Sequence, residues 1–308
     1  MANRSDARVI LIAGPTASGK SALALALAEE IGAEIVNADA LQVYRDLLIL
    51  SARPTPVEEA RRPHHLFGHV DGGIRYSVGG WARDAAAALD EIAERGAPAI
   101  VVGGTGLYFR ALTEGLAEAP AVPAAVRREA EERLAAVGLP AFRAEVIAAD
   151  PAMARLKPGD RQRHVRAWEV FHATGRPLSE FQAGAALPVV AKPAARLVLE
   201  PPREDLYRTI DGRFDAMMAA GALEEARALA ARGLDESLPV MKAVGVAELL
   251  AHLNGRLTRE EAVRLARQSS RRYAKRQLTW FRNQTPGWPR AASANVGLEA
   301  LGRQLGKP

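Results

Sequence analysis

Lys20 and Ser21 close the run Gly14-Pro15-Thr16-Ala17-Ser18-Gly19-Lys20-Ser21, whose residue types and spacing suit one kind of chemistry, the holding of phosphate. Two glycines let the chain turn with its amide N–H groups pointing inward. The ammonium of Lys20 adds a point charge, and the hydroxyl of Ser21 is placed to reach a magnesium ion. Two more reactive side chains stand just past apolar runs: Asp39 after residues 34–37, and Thr105 after residues 99–102. A carboxylate at Asp39 suits a magnesium partner or a general base, and equally a turn or helix cap. The cradle alone leaves its ligand open, because ATP, other nucleotides and any diphosphate leaving group offer the same oxygens.

These residues must be brought together by the elements around them. The apolar run 9–13 before the cradle reads as a strand and 21–31 as a helix. Further strands are expected at 34–37 and 99–102, with a helix at 78–95 between them. Continuous β-branched runs separated by helices predict a parallel sheet covered on both faces, and in such sheets ligands gather at the carboxyl ends of the strands. That rule groups the cradle, Asp39 and Thr105. The connection 38–77, punctuated by Arg53-Pro54-Thr55-Pro56 and Arg61-Arg62-Pro63-His64-His65, reads as a loop. His64 and His65 are a weak metal pair, since adjacent residues point apart.

After Gly115 the composition shifts to Ala, Glu and Arg. Helices are expected at 124–136 and 140–148, then another from an Asp160 cap to Gly175. Residues 116–194 therefore read as an all-helical insertion, between a first core part (1–115) and a last one (195–308). The strand 196–199 rejoins the sheet, and the remainder reads as helical: 203–219, 222–231, 243–253 and 259–281. The fold class is α/β, a P-loop-type parallel sheet flanked by helices, with a helical insertion and a helical C-terminal region.

The bulk numbers fit this. The chain has 308 residues, 48% hydrophobic and 25% charged, enough for a large core. It contains no cysteine, which excludes disulfides and thiolate chemistry. No apolar stretch is long enough to span a bilayer, so no membrane partner is expected and the cytoplasm is the expected compartment. The net charge of +5 is unevenly spread. Between Arg256 and Arg282 stand Arg256, Arg259, Arg264, Arg267, Arg271, Arg272, Lys275, Arg276 and Arg282, against Glu260 and Glu261. Such a run is either a solvated helix face or a surface for a polyanion, and Arg264, Arg267, Arg271 and Lys275 step by three or four along one face. Trp280 and Phe281 near its end read as core residues or as stacking platforms.

An ATP-using P-loop enzyme normally places an acid at a strand end to hold magnesium, yet strand 99–102 runs into Gly103-Gly104. Instead the chain resembles the tRNA dimethylallyltransferases. The resemblance is carried, in order, by Gly14–Ser21, Asn37-Ala38-Asp39-Ala40-Leu41-Gln42-Val43-Tyr44, Val102-Gly103-Gly104-Thr105-Gly106-Leu107-Tyr108, Asp160-Arg161-Gln162-Arg163 with Arg166-Ala167-Trp168-Glu169-Val170, and Lys275-Arg276-Gln277-Leu278-Thr279-Trp280-Phe281-Arg282. It implies transfer of a dimethylallyl group from dimethylallyl diphosphate to the exocyclic N6 amine of the adenine 3′ to a tRNA anticodon, with release of diphosphate and with Mg2+ as cofactor. Asp39 then matches the base and Thr105 a positioning hydroxyl, while the cradle (Gly14, Pro15, Thr16, Ala17, Ser18, Gly19, Lys20, Ser21) and Arg213 hold the diphosphate, with Ser21 on the metal. Contacts to the tRNA anticodon stem-loop are implied for Asp39, Ala40, Leu41, Gln42, Thr105, Gln162, Arg163, His164, Val165, Arg166, Lys275 and Arg276. Gln42 is suited to reading a base edge.

The chain departs from the family pattern at Leu48, where an acid is usual, at Leu50, where glycine is usual, at Val246, a family tyrosine, and at Phe67-Gly68, where an acid is usual. Two other readings stand beside this one: an ATP-dependent P-loop kinase of a nucleoside or small metabolite, and an RNA-binding protein that uses nucleotide as a switch. A monomer is the default expectation.

Overall fold

A computed structural model describes residues 8–117, 120–184 and 187–306. They form two compact units, one made of the chain up to Thr113 together with Val189 onward, the other spanning Glu114–Pro188.

The first unit is built on a six-stranded, wholly parallel sheet in the order β3-β2-β4-β1-β5-β6. The strands are β1 (Val9–Ala13), β2 (Glu34–Asn37), β3 (His64–His65), β4 (Ala99–Gly103), β5 (Ala195–Leu199) and β6 (Arg290–Ala291). Every residue of β1, β2 and β4 is buried, as expected where helices cover both faces. Alternate side chains feed the two cores. Ile10, Ile12, Ile100 and Leu197 pack with Leu23 and Leu27 of α1 (Lys20–Ile31) and with Leu301 of the C-terminal helix Ala294–Gln304. Leu11, Val36, Val101 and Val198 pack with Trp81 and Ile92, on the helix Val78–Glu94, and with Phe109 and Phe281.

The register decides what meets at the carboxyl edge. Ala13 lies opposite Gly103, and Asn37 opposite Val102, so β1, β2 and β4 end level. The segments carrying the cradle, Asp39 and Thr105 leave the sheet side by side. Strand β2 is fastened there by Trp81, whose indole N–H donates to the Asn37 carbonyl at 2.8 Å and whose ring stacks on Tyr108 at 4.2 Å.

The connection expected as loop carries two short elements, the helix Pro56–Arg61, opened by a Thr55–Glu58 capping box, and the edge strand β3. His64 and His65 are thus sheet residues. The Nδ1 of His64 donates to the Arg62 carbonyl, and the Nε2 of His65 to the Glu34 carboxylate, which also accepts from Arg95. No group of three or more His, Cys, Asp or Glu able to hold a metal exists among the described residues. The C-terminal region is not wholly helical either, since β6 extends the sheet beyond β5. Two residues bounded by Pro289 offer too little periodicity to read as a strand.

The last elements of this unit that bear on the site are α2 (Arg203–Ala219), α3 (Ala222–Ala231), α4 (Val246–Leu253) and the long α5 (Arg259–Gln284), which starts at a Thr258–Glu261 capping box. The boundary of the insertion falls earlier than 194. Val190 packs in the core of the first unit, and its N–H donates to the Leu112 carbonyl.

The second unit is helical throughout its described residues. The helices expected at 124–136 and 140–148 run as Ala124–Ala149, interrupted at Gly138, whose φ of 74° breaks the helical path ahead of Pro140. Asp160 caps the helix Arg161–Thr174 by accepting from the Arg163 N–H, and Gly175 ends it in the left-handed conformation. Phe142, Trp168 and Leu134 form its core.

Candidate active site

The cradle is shaped by β1 feeding α1 through a turn that only small residues allow. Gly19 sits at φ 86°, a conformation that favours glycine, and Ala17 at φ 63° shares the left-handed region. Lys20 is the first residue of α1 and is 8% exposed. Its Nζ donates to the Pro15 carbonyl at 3.1 Å. Burial, opposed by the nearby Asp39 carboxylate and reinforced by Arg213, brings its pKa down from 10.5 to about 8. The Ser18 hydroxyl is buried without a hydrogen-bond partner. A buried, orphaned hydroxyl beside a buried ammonium at a helix N-terminus is the donor set that an anion completes. The Ser21 hydroxyl lies one residue on, at an exposed position.

Asp39 is 7% exposed. Its Oδ1 accepts from the Leu41 N–H at 3.0 Å, and its own N–H donates to Asn37 Oδ1 at 2.8 Å, which fixes the carboxylate at the end of β2. Thr105 is tied to the same turn, its Oγ1 accepting from the Ala40 N–H at 2.9 Å. Tyr273 of α5 is half-buried with its phenol beside Thr105, and desolvation raises its pKa well above the usual range.

A pocket of about 50 Å³ opens over these groups. Thr16, Asp39 and Arg213 give it a polar wall, to which Ser51, Ser270 and Tyr273 contribute as well. Leu41, Leu50, Ile210, Phe214, Met217 and Val244 make the rest apolar. Arg213 comes from α2, where burial lowers its pKa from the usual value and Asp39 opposes that shift. Asp39, Lys20 and Arg213, from three separate parts of the sequence, thus share one small electrostatic environment.

Gln277, inside the motif 275–282, ties two loops of the site together. Buried on the inner face of α5, its Oε1 accepts from the cradle's Thr16 N–H at 2.9 Å, and its Nε2 donates to the Gly104 carbonyl at 2.9 Å. One side chain ties the phosphate loop to the loop bearing Thr105. Gly104 has no side chain because a Cβ there would lie 2.2 Å from Gln277 Nε2. The legible signal is an amide at core spacing, between Ala274 and Leu278, in a helix rich in basic residues. Gln277→Ala is expected to leave the Thr16 N–H and Gly104 C=O unpaired, costing about 1–3 kcal/mol of stability. It should weaken binding of a phosphate-bearing ligand at the cradle while leaving the melting of the second unit unchanged, a contrast that binding titration and calorimetry together can read.

The departures at Leu48 and Leu50 also find a physical account. The carboxylate of Glu225, on α3, accepts from three consecutive amides: Leu48 N at 2.6 Å, Ile49 N at 2.8 Å and Leu50 N at 2.7 Å. Gln42 Nε2 donates to the carbonyls of Ser51 and Ala52, and Arg232 joins Asp46 to Asp71. Leu50 is outside the left-handed region, which in this loop only Ala52 enters, at φ 50°, so a side chain at Leu50 costs no strain. The NH2 of Gln42 is engaged inside the protein, so only its carbonyl oxygen is left for reading a base. Val246 is buried at the start of α4.

The basic helix is less free than its sequence suggests. Arg267 pairs with Asp215 and Arg271 with Asp211, both acids lying on α2, so two charges of the stripe fasten α5 to α2. Exposed Arg272, Lys275 and Arg276 instead line an open groove of about 540 Å³ with Thr279, Trp280 and Asn283. Phe281 is fully buried. Trp280 is half-buried against the helix Gly106–Glu114, its ring so close to Gly106 that a Cβ there would lie 2.1 Å away.

In the second unit Gln162 and Arg163 are exposed, and Arg163 pairs with Asp160. Arg166 is held by Glu169 and by the Pro120 carbonyl. His164 and Val165, expected among the tRNA contacts, turn inward. His164 is fully buried with Nδ1 donating to the Asp160 carbonyl, and Val165 belongs to the unit's core, because the helical period puts them on its inner face.

Comparison with known proteins follows the same lines as the geometry. The family model described as IPP transferase matches residues 42–284, and that described as isopentenyl transferase matches residues 7–74. A tRNA dimethylallyltransferase of Phenylobacterium zucineum is 58% identical over 286 residues, covering 92% of each chain. Among solved structures, the tRNA isopentenylpyrophosphate transferase of Bacillus halodurans is similar with a TM-score of 0.67 at 31% identity, covering 97% of each chain. A eukaryotic dimethylallyltransferase captured acting on tRNA is similar with a TM-score of 0.79 at 27% identity, covering 97% of this chain and 77% of the other.

Proposed function

The chain belongs to the IPP transferase family, and from that premise we propose that it transfers a dimethylallyl group from dimethylallyl diphosphate to the N6 amine of the adenine 3′ to the anticodon in tRNA. One observation carries the reading: the phosphate cradle and a small apolar pocket share their walls, with Asp39 between them. A prenyl diphosphate has that shape, a dianionic head on a short hydrocarbon. An ATP-dependent kinase has no support from the relatives, and the site holds no second acid at the end of β4, where Gly103 and Gly104 stand.

In the proposed reaction the N6 nitrogen attacks C1 of the prenyl chain as the C1–oxygen bond breaks. The bonding electrons leave with diphosphate, and the amine proton passes to Asp39. The amides of the cradle, Lys20 and Arg213 stabilise the charge that grows on the departing oxygens, and they are already oriented before the reaction begins. Thr105, fixed by the Ala40 N–H and beside Tyr273, orients the reacting amine. The Ser21 hydroxyl would hold a magnesium ion at the cradle, and the ion would supply further charge neutralisation. A metal shared with phosphates suits a chain that offers no acidic cage among its described residues.

The target adenine is reached only when unstacked, and unpaired anticodon-loop bases are what proteins read. Leu41 lines the pocket, and its neighbours Ala40 and Gln42, the latter through its free oxygen, are proposed to meet the tRNA beside it. Lys275 and Arg276, with Gln162, Arg163 and Arg166 of the second unit, are proposed to hold the tRNA backbone. No helix among the described residues is long and apolar enough to cross a membrane, and with tRNA as substrate the proposed compartment is the cytoplasm.

The test is direct. The protein is incubated with magnesium, dimethylallyl diphosphate and unmodified tRNA, and digested nucleosides are read by mass spectrometry. An N6-dimethylallyl adenosine mapped beside the anticodon is expected; its absence, with ATP-dependent phosphorylation of a small acceptor, would refute the reading.

Lys20 predicts the pH dependence. Its charged form, which binds the anion, is present below about pH 8 in the free protein and is lost above it. Hence kcat/KM for the prenyl diphosphate should fall as pH rises through about 8. The kcat at saturation should persist to higher pH, because the bound dianion favours the ammonium.

A further inference from the structure

We propose that Leu50 sets the length of the allylic chain the pocket accepts. The inference rests on the prenyl diphosphate reading above and assigns that site its specificity determinant. The side chain is buried and forms part of the apolar wall with Phe214, Met217 and Val244. Leu50 and the Phe214 ring both lie close to the backbone of Gly245: a Cβ built on Gly245 would lie 3.4 Å from Leu50 Cδ2 and 3.0 Å from Phe214 Cε2.

A closing residue limits length only if it cannot swing away, and here the backbone is fixed from both sides. Glu225 holds the amides of Leu48, Ile49 and Leu50. Gln42 holds the carbonyls of the next two residues, and Ser51 Oγ donates to the Leu47 carbonyl at 2.6 Å. The apolar part of the pocket is lined by Leu41, Leu50, Ile210, Phe214, Met217 and Val244. A ten-carbon chain needs more of that wall than a five-carbon one, and shortening Leu50 would supply space for it. Leu50 belongs to neither the cradle nor the Asp39–Thr105 pair, so shortening it changes the apolar end while leaving the reacting groups in place.

The experiment sets dimethylallyl diphosphate against geranyl diphosphate in competition, using the full chain, unmodified tRNA and mass spectrometry of both N6 adducts. Leu50→Ala is expected to raise the geranyl-to-dimethylallyl ratio of kcat/KM by about 10-fold or more, the discrimination that one or two methylenes carry in an apolar pocket. Leu50→Val, which removes one carbon and keeps the wall, should move the ratio in the same direction by less, and it serves if the alanine variant fails to fold. Wild type active with dimethylallyl diphosphate, together with a ratio unmoved in both variants, overturns the Leu50 assignment alone. Wild type inactive with both donors overturns the donor reading and the assignment with it.

Discussion

Asp39→Asn is expected to lower prenyl transfer by about 10²–10⁴-fold, the range for loss of a positioned general base, while tRNA binding measured by filter retention stays within a factor of two or so. The amide is the informative replacement. Asn keeps an oxygen to accept the Leu41 N–H, so the turn after β2 retains its geometry, whereas Ala would also release that contact. What Asn loses is the capacity to take a proton from the N6 amine, a weak nucleophile whose attack improves as its N–H is drawn away. Single-turnover measurement with saturating tRNA and donor isolates the chemical step. A rate within threefold of wild type would remove Asp39 from the role of base and leave it as the cap that its hydrogen bonds already describe.

Lys20→Met should cost about 10²–10³-fold in kcat, the loss seen when one preorganised donor to a developing oxyanion is removed, yet the protein should not become less stable. The sign follows from burial. Desolvation brings the Lys20 pKa from 10.5 down to about 8, so at neutral pH the folded state holds an ammonium it disfavours by roughly 3 kcal/mol. Met fills the same volume without charge and gives up only the hydrogen bond to the Pro15 carbonyl. An unchanged or raised melting temperature beside a collapsed turnover identifies a residue kept for catalysis at the expense of stability. A fall in both would instead make Lys20 a structural member of the loop. In the Met variant the loss of kcat/KM above pH 8 should also vanish.

Much of the catalytic end was legible in the chain because it is local. The phosphate loop is a contiguous run whose glycines, lysine and serine state their chemistry by spacing, and the strands before it and before Asp39 and Thr105 are continuous apolar runs. A parallel sheet brings strand ends together by rule, so the sequence alone places three distant segments at one edge. The basic helix was legible as charge but not as function. Sequence counts Arg267 and Arg271 as free, and only packing sets Asp215 and Asp211 of the neighbouring helix against them.

By itself, then, the sequence determined the phosphate chemistry, the parallel sheet and the residues at its carboxyl edge, since each is written in neighbouring residues or in a period of two or 3.6. Tertiary structure alone decided the rest. Gln277 reaches the cradle across 261 positions of chain. The three amides that bind Glu225 lie between 175 and 177 positions before it. Leu50 and Phe214 line one pocket, beside Gly245, only because loop and helix are brought together there. Contacts of that separation leave no local pattern, because the side chains that make them are chosen by what the fold brings opposite and not by what stands beside them in the chain.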